Sequence, residues 1–291
     1  MEAPEELFDH ISLTVFGGNN RILNYRLVAA GNMNQAIYLN TEKGSFFLKT
    51  NFEEDSDIFP REREGLSWLR DNCSLYVPET LAQGQFEDRH YLLMDWISSA
   101  FPKPDYSSRL GEGLAELHMC TSRQFGLDKD NYIAILPQKN RWTDSWPAFF
   151  IENRLEPQLQ LALYKGLVDQ DFLRYFRSIY ERLQEFFPSE KPALLHGDLW
   201  SGNVMTDASG LPALIDPAVY FGHREMDLAF SRLFGGFTSG FYEAYQAVFP
   251  LEPGFEERMP VYNLYPLLVH LNLFGKAYLS GIQKTLKRFA G

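Results

Sequence analysis

The sequence predicts an α+β chain in two lobes, a small strand-rich one at residues 1–97 and a larger, mainly helical one at 98–291. Three observations lead there. Residues 25–29, 35–39 and 45–49 are runs of strand formers separated by turn residues. After Pro102 and Pro104 the apolar spacing becomes helical, with Leu110, Leu114, Ala115 and Leu117 marking the first helix. Between later helical stretches lies His196-Gly197-Asp198-Leu199-Trp200-Ser201-Gly202-Asn203, and thirteen residues past that asparagine comes Asp216.

Composition narrows the class of partner. With 291 residues, 45% apolar and 15% aromatic, the chain has ample material for a sizeable core. Its 27 basic and 38 acidic residues give a formal charge of −11, which disfavours nonspecific attraction to nucleic acid or an anionic membrane. A bound nucleotide would need a local lysine or Mg²⁺. Cys73 and Cys120 are far apart with no CxxC partner, so free buried thiols are expected and a disulfide framework is not. The first residues are acidic and no apolar run reaches about 18 residues, so a cytoplasmic protein outside the membrane is expected.

Taken in order, residues 7–16 read as a helix closed by Gly17-Gly18-Asn19-Asn20. The three strands then form a meander. Its first turn, Ala30-Gly31-Asn32-Met33-Asn34, places Gly31 and Asn34 where backbone N–H groups could approach a nucleotide's phosphates; a plain hairpin has the same signature. Lys49 ends an apolar strand, where a phosphate-pairing lysine would sit. A helix is expected at about 60–70, with Pro60 in its first turn. At roughly 100° per residue, Glu62 lies within about 40° of Leu66 and Leu69, whereas Glu64 points away. A carboxylate on the buried stripe needs a cation, and Lys49 is the candidate.

The apolar run His90-Tyr91-Leu92-Leu93-Met94-Asp95-Trp96-Ile97 closes the first lobe. The backbone of its last four residues, Met94, Asp95, Trp96 and Ile97, would be available to an adenine edge, with a buried strand that holds no ligand as the ordinary alternative and the lobe boundary at about 97–105. Beyond it, helices are expected at 149–163, 172–187, 241–249 and 262–279. His118 reads as structural, and the loop from Asn140 to Trp146 offers aromatic faces and polar groups that could hold a sugar or merely pin a loop. His270 and Asn272 interrupt the apolar run of the last helix, so each wants a hydrogen-bond partner or an exit to a cleft.

The chemistry concentrates around Asp198. An aspartate and an asparagine five residues apart on one tight loop can face a phosphate together, the first accepting a hydroxyl proton and the second ligating Mg²⁺. Asp216 supplies a second hard oxygen. The same residue types permit a zinc or manganese hydrolase site made of His196, Asp198, Asp216 and His223, although no HExxH or cysteine pair accompanies them.

Together these pieces resemble the fructosamine kinase (ketosamine 3-kinase) family, a branch of the aminoglycoside phosphotransferase and choline kinase superfamily with a protein-kinase-like bilobal fold. The resemblance covers nearly the whole chain. It rests on His196 to Asn203, Phe125-Gly126-Leu127, Asp216-Pro217-Ala218, Gly222-His223-Arg224-Glu225-Met226-Asp227-Leu228-Ala229 and His270-Leu271-Asn272-Leu273-Phe274-Gly275. It implies Asp198 as catalytic base, Asn203 and Asp216 as Mg²⁺ ligands, and Lys49 with Glu62 on the phosphates of ATP. Trp200 and His270 would face the sugar, and His196 and Asp227 would support the catalytic loop. The implied reaction phosphorylates a hydroxyl of a ketosamine, free or protein-linked; the alternatives are an aminoglycoside or amino-alcohol acceptor, or nucleotide binding without turnover. One departure is the turn at Ala30-Gly31-Asn32, where the family commonly has Gly-Gly-Asp. A DFG phenylalanine and an APE segment are missing, which argues against a protein-serine kinase.

Overall fold

Alternation along the first strands builds two packing faces. In the computed structural model, which describes residues 5–30, 34–52 and 57–290, helix α1 (Glu5–Phe16) precedes an antiparallel five-stranded sheet. Its strands are β1 (Ile22–Ala30), β2 (Asn34–Thr41), β3 (Gly44–Asn51), β4 (Thr80–Phe86) and β5 (Arg89–Asp95), in the order β1-β2-β3-β5-β4. Ile37 pairs with Leu48 and Leu48 with Leu93, while one step along Ala36 pairs with Lys49 and Lys49 with Leu92. Successive side chains point to opposite faces. Ile37, Leu48 and Leu93 therefore bury against Leu7, Phe8 and Ile11 of α1, and Lys49 and Leu92 turn to the other face.

That other face is covered by α2 (Ile58–Asn72), which buries Phe59, Gly65, Leu66 and Leu69. Gly65 sits mid-helix because a Cβ there would lie 3.2 Å from Pro217, so the helix can approach the segment after Asp216 closely. The larger core continues from α2, Leu75, Val77, Leu92 and Met94 into the helices that follow, as one buried cluster. The chain between β5 and α3 (Tyr106–Met119) marks the expected boundary in sequence, but the apolar interior does not divide there.

Past α3 come the short hairpin β6 (Asn131–Ile133) and β7 (Leu136–Gln138), then α4 (Trp146–Phe149), which passes through a π-type turn at Phe150–Leu155 into α5 (Glu156–Tyr164). Helices α6 (Gln170–Arg177) and α7 (Tyr180–Phe186) follow where the sequence predicts one helix. The break comes at Ser178, whose hydroxyl donates to the Tyr175 carbonyl at 2.6 Å while the Ile179 N–H bonds back three residues to Phe176.

Strands β8 (Ala193–Leu195), β9 (Val204–Thr206), β10 (Pro212–Leu214) and β11 (Tyr220–Gly222) make two small ladders, β8 with β11 and β9 with β10. They lead into α8 (Glu225–Leu233), α9 (Ser239–Val248), α10 (Phe255–Tyr262), α11 (Leu264–Phe274) and α12 (Leu279–Ala290). The expected helix at 262–279 is thus corrected: Tyr262 closes α10, and α11 stops at Gly275, whose φ of 89° is open to glycine and costly for other residues. Helix α12 was not anticipated. Among the described residues no helix is long and apolar enough to cross a membrane.

Candidate active site

The loop after β8 is shaped by a glycine and an aspartate. Gly197 has φ 82°, and a Cβ there would lie 2.0 Å from the Ala218 carbonyl oxygen, so no other residue fits without moving backbone. Asp227, in the first turn of α8, accepts hydrogen bonds from the N–H groups of His196 at 2.7 Å and Gly197 at 3.0 Å. A third donor is His118, whose Nε2 lies 3.2 Å from the same carboxylate. A carboxylate only accepts, so Nε2 carries the proton and Nδ1 accepts from the Tyr245 hydroxyl at 2.8 Å.

His196 performs a parallel task with its ring. Nε2 donates to the Ile215 carbonyl at 3.0 Å, and Nδ1 accepts the Asp198 N–H at 3.2 Å. Burial lowers its pKa below the ordinary histidine value, which keeps this neutral tautomer. One side chain thereby links the Asp198 loop to the backbone before Asp216. Asn203 completes the loop, its amide nitrogen donating to the Asp198 carbonyl at 2.9 Å and to carboxylate Oδ2 at 2.8 Å. That leaves Oδ1 as the oxygen of Asn203 that could hold a cation. Burial pushes Asp198 up to about 7, against the Asn203 hydrogen bond and with the help of Asp216 and Asp227.

Asp216 adopts φ 53°, a strained conformation for a non-glycine residue of the kind kept at functional sites. Its Oδ1 lies 2.6 Å from Lys49 Nζ, and Glu62 Oε1 lies 2.7 Å from the same nitrogen. Burial opposes the Lys49 ammonium, but Asp216 and Glu62 outweigh it and hold its pKa above the ordinary lysine value. Glu64, by contrast, points outward and pairs with Arg61 and Lys129, as the helix phase predicts.

A single cavity of about 420 Å³ gathers Lys49, Glu62, Asp198, Trp200, Asn203, Asp216 and His270 along its lining. The Trp200 ring folds over Gly202, where a Cβ would lie 2.2 Å from it. His270 donates Nδ1–H to the Pro266 carbonyl at 2.7 Å and keeps Nε2 as an acceptor. Burial lowers its pKa, so it is neutral.

The zinc or manganese arrangement does not form. His223 Nδ1 bonds the Tyr262 hydroxyl, and its ring stacks on buried Trp146 at 4.7 Å. Among the described residues no group of three or more His, Cys, Asp or Glu side chains is placed to hold a metal. The oxygen pair of Asn203 and Asp216 suits Mg²⁺, which keeps several waters and takes few protein ligands.

A family model described as fructosamine kinase matches residues 6–290. The chain belongs to the fructosamine kinase family. It is therefore a phosphotransferase acting on a hydroxyl group. A probable ketoamine kinase of Enterococcus faecium is 41% identical over 264 residues, covering 90% of this chain and 94% of that protein. A chloroplastic protein-ribulosamine 3-kinase of Oryza sativa subsp. indica is 36% identical over 269 residues, 91% of this chain and 78% of that one. The crystal structure of a candidate fructosamine-3-kinase from Haemophilus somnus superposes with TM-score 0.87 at 31% identity, covering 97% and 96% of the two chains. An aminoglycoside phosphotransferase, APH(4)-Ia, gives TM-score 0.67 at 17% identity over both full chains, a likeness of kinase-like fold alone.

In this fructosamine kinase family member the expected adenine-side segment stands apart from the cavity lining. The Asp95 N–H is given to the Glu79 carbonyl at 3.0 Å, its carboxylate accepts from the Glu79 N–H, and Trp96 packs on Tyr38 at 4.7 Å. Met94 and Ile97 are buried. Gly31 lies outside the described residues, as does the side chain of Asn34, whose backbone opens β2 opposite Asn51. Two contacts escaped sequence reasoning: Lys49 with Asp216, and His118 with Asp227. For His118 one signal exists, since it falls four residues after Leu114 on the buried stripe of α3.

Proposed function

We propose that this chain phosphorylates a sugar hydroxyl of ketosamines, the adducts of sugars with amines, using ATP and Mg²⁺ with Asp198 as catalytic base. The observation that carries this reading is the sharing of one cavity by Lys49, Glu62, Asp198, Asn203 and Asp216 with Trp200 and His270. The first five suit a phosphoryl donor and the last two a sugar. Bound MgATP supplies the transferable phosphoryl group and neutralises charge during transfer.

Asn203 Oδ1 and the Asp216 carboxylate are the oxygens to hold the cation, and Lys49, kept charged and aimed by Glu62, pairs with phosphate oxygens. With Asn203 fixing one oxygen of Asp198, the other is free to take the hydroxyl proton, which requires that hydroxyl within about 3 Å. Trp200 offers a flat face to the sugar's C–H groups, and His270 Nε2 accepts from a sugar hydroxyl, so the two restrain its rotation. Reaction at C3 is part of the reading and has support in the name of the rice relative. Gly31, Asn34 and the backbone of Met94, Asp95, Trp96 and Ile97 are assigned to the nucleotide, the Asp95 N–H excepted because it is given to the Glu79 carbonyl. Free and protein-linked adducts are both acceptors, and a cytoplasmic setting fits the free thiols of Cys73 and Cys120.

The test is a panel of acceptors with MgATP: fructosyl-lysine and related ketosamines, kanamycin and choline. Transfer to the ketosamines alone is expected. Turnover of kanamycin or choline with ketosamines untouched would overturn the acceptor assignment, and nucleotide binding without any turnover would overturn the catalytic one.

A further inference from the structure

The rim of the cavity carries large apolar side chains that phosphoryl transfer does not use. Ile135 is 59% exposed and Phe274 65% exposed, and both line the cavity together with Leu273. They come from separate segments, the tip of the β6–β7 hairpin and the end of α11. Scattered apolar residues on a surface need no explanation, but these converge on one opening.

The backbone adds an independent sign. Ile133 pairs with Leu136, so Ala134 and Ile135 form a two-residue hairpin turn. Ala134 takes φ 52°, a conformation such turns usually give to Gly or Asn. Strain held at a non-glycine residue beside a cavity is a reason to look for use. On the other segment, the Phe274 ring lies 5.5 Å from that of His270, so a group attached to a sugar held by His270 meets Phe274 nearby. Charge separates the two ends. The charged lining residues, Lys49, Arg61, Glu62, Asp198 and Asp216, belong to β3, α2 and the loops around Asp198. The hairpin tip and the end of α11 contribute none.

We propose that Ile135, Leu273 and Phe274 form a subsite for the substituent on the ketosamine nitrogen, and that it favours amines carrying an apolar group over polyamines or small polar amino acids. This rests on the ketosamine reading above and names the substrate class within it. The apolar group leaves water against the rim, and among the described residues neither the hairpin tip nor the end of α11 offers a second ammonium a carboxylate.

Steady-state kinetics with one sugar and three amines tests it: the fructose adducts of benzylamine, glycine and putrescine, each with MgATP. The benzylamine adduct is expected to show a KM at least about 10-fold below the other two, the scale at which apolar pockets discriminate. In the Ile135→Ser and Phe274→Ser variants that ratio should shrink toward about 2-fold. Equal KM values in the unaltered protein, a lower KM for the putrescine adduct, or a ratio unchanged in both variants overturns the subsite while leaving the kinase reading intact. Nucleotide binding with no turnover of any adduct brings down the ketosamine reading itself, and the subsite with it.

Discussion

Lys49 contacts Asp216 at 2.6 Å, as closely as it contacts Glu62 at 2.7 Å. One ammonium thus joins β3, α2 and the loop after β10. Removing Glu62 leaves it drawn to Asp216 alone, away from the position it shares between the two carboxylates. Glu62→Ala should lower kcat/KM for ATP by at least about 10-fold, since small misplacements of a charged group are costly at such sites. Glu64→Ala should stay within about 2-fold, because its pairs with Arg61 and Lys129 are exposed and weak. Equal losses in the two variants would mean that the buried ion pair has no part in nucleotide use.

Asp198→Asn keeps the shape of the proposed base and removes its ability to accept a proton. Turnover should fall at least ~10²-fold with nucleotide binding retained. Asp216→Ala should act differently, weakening MgATP binding measured by calorimetry, because it deletes a proposed cation ligand and the Lys49 contact together. Unchanged MgATP affinity in that variant would remove Asp216 from the metal site.

The brace behind the loop offers a quieter test. Tyr245→Phe keeps the ring and deletes the hydroxyl that His118 Nδ1 accepts. An unsatisfied buried nitrogen should cost about 1–3 kcal/mol in chemical denaturation. If the chain from Tyr245 through His118 and Asp227 also holds the His196–Gly197 backbone in position, kcat should drop about 5-fold with both KM values unchanged, a size ordinary for an indirect positioning contact. Lowered stability with normal kcat would confine the brace to the fold.

His223 gives a pH dependence of known sign. Burial, aided by Arg258 and Arg224, pushes its pKa from the ordinary 6.5 down to about 3. Below about pH 6.5 the unfolded chain takes up a proton that the folded chain refuses, so stability falls as pH falls, by up to about 1.4 kcal/mol per pH unit. His223→Gln removes this titration. Urea denaturation at pH 7 and pH 5 should show the stability gap between the two proteins narrowing at the lower pH. A constant gap would place the acid sensitivity elsewhere.

What could be read from the chain alone was whatever local periodicity encodes. The phase of Glu62 against Leu66 and Leu69 follows from helical geometry, and the ion pair with Lys49 is where that phase puts it. The family motifs directed attention to Asp198, Asn203 and Asp216, which the fold brings to one cavity. Lys49 and Asp216 meet across 167 residues and His118 and Asp227 across 109, separations over which no pattern in the sequence carries information. Helix ends failed for a different reason. Apolar content continues through 172–187 and 262–279, so the breaks depend on single groups, the Ser178 hydroxyl and the backbone of Gly275. In the loop from Asn140 to Trp146, Trp146 is 2% exposed in the core, where it pins the loop and offers no open face to a sugar.

The interior that runs from α2 into the helical lobe sets how this chain can be taken apart. Phe59, Leu66, Leu69, Leu75, Leu92 and Met94 share their cluster with residues of α3 and beyond, so a gene cut at codon 97 would leave each fragment with a raw apolar wall. Residues 1–97 are not a cassette to be excised or grafted onto another helical lobe. A seam does exist elsewhere: Leu7, Phe8 and Ile11 close a separate cluster with the opposite face of the sheet. Recombination between relatives should therefore reject crossovers that part α2 from the helices it packs on.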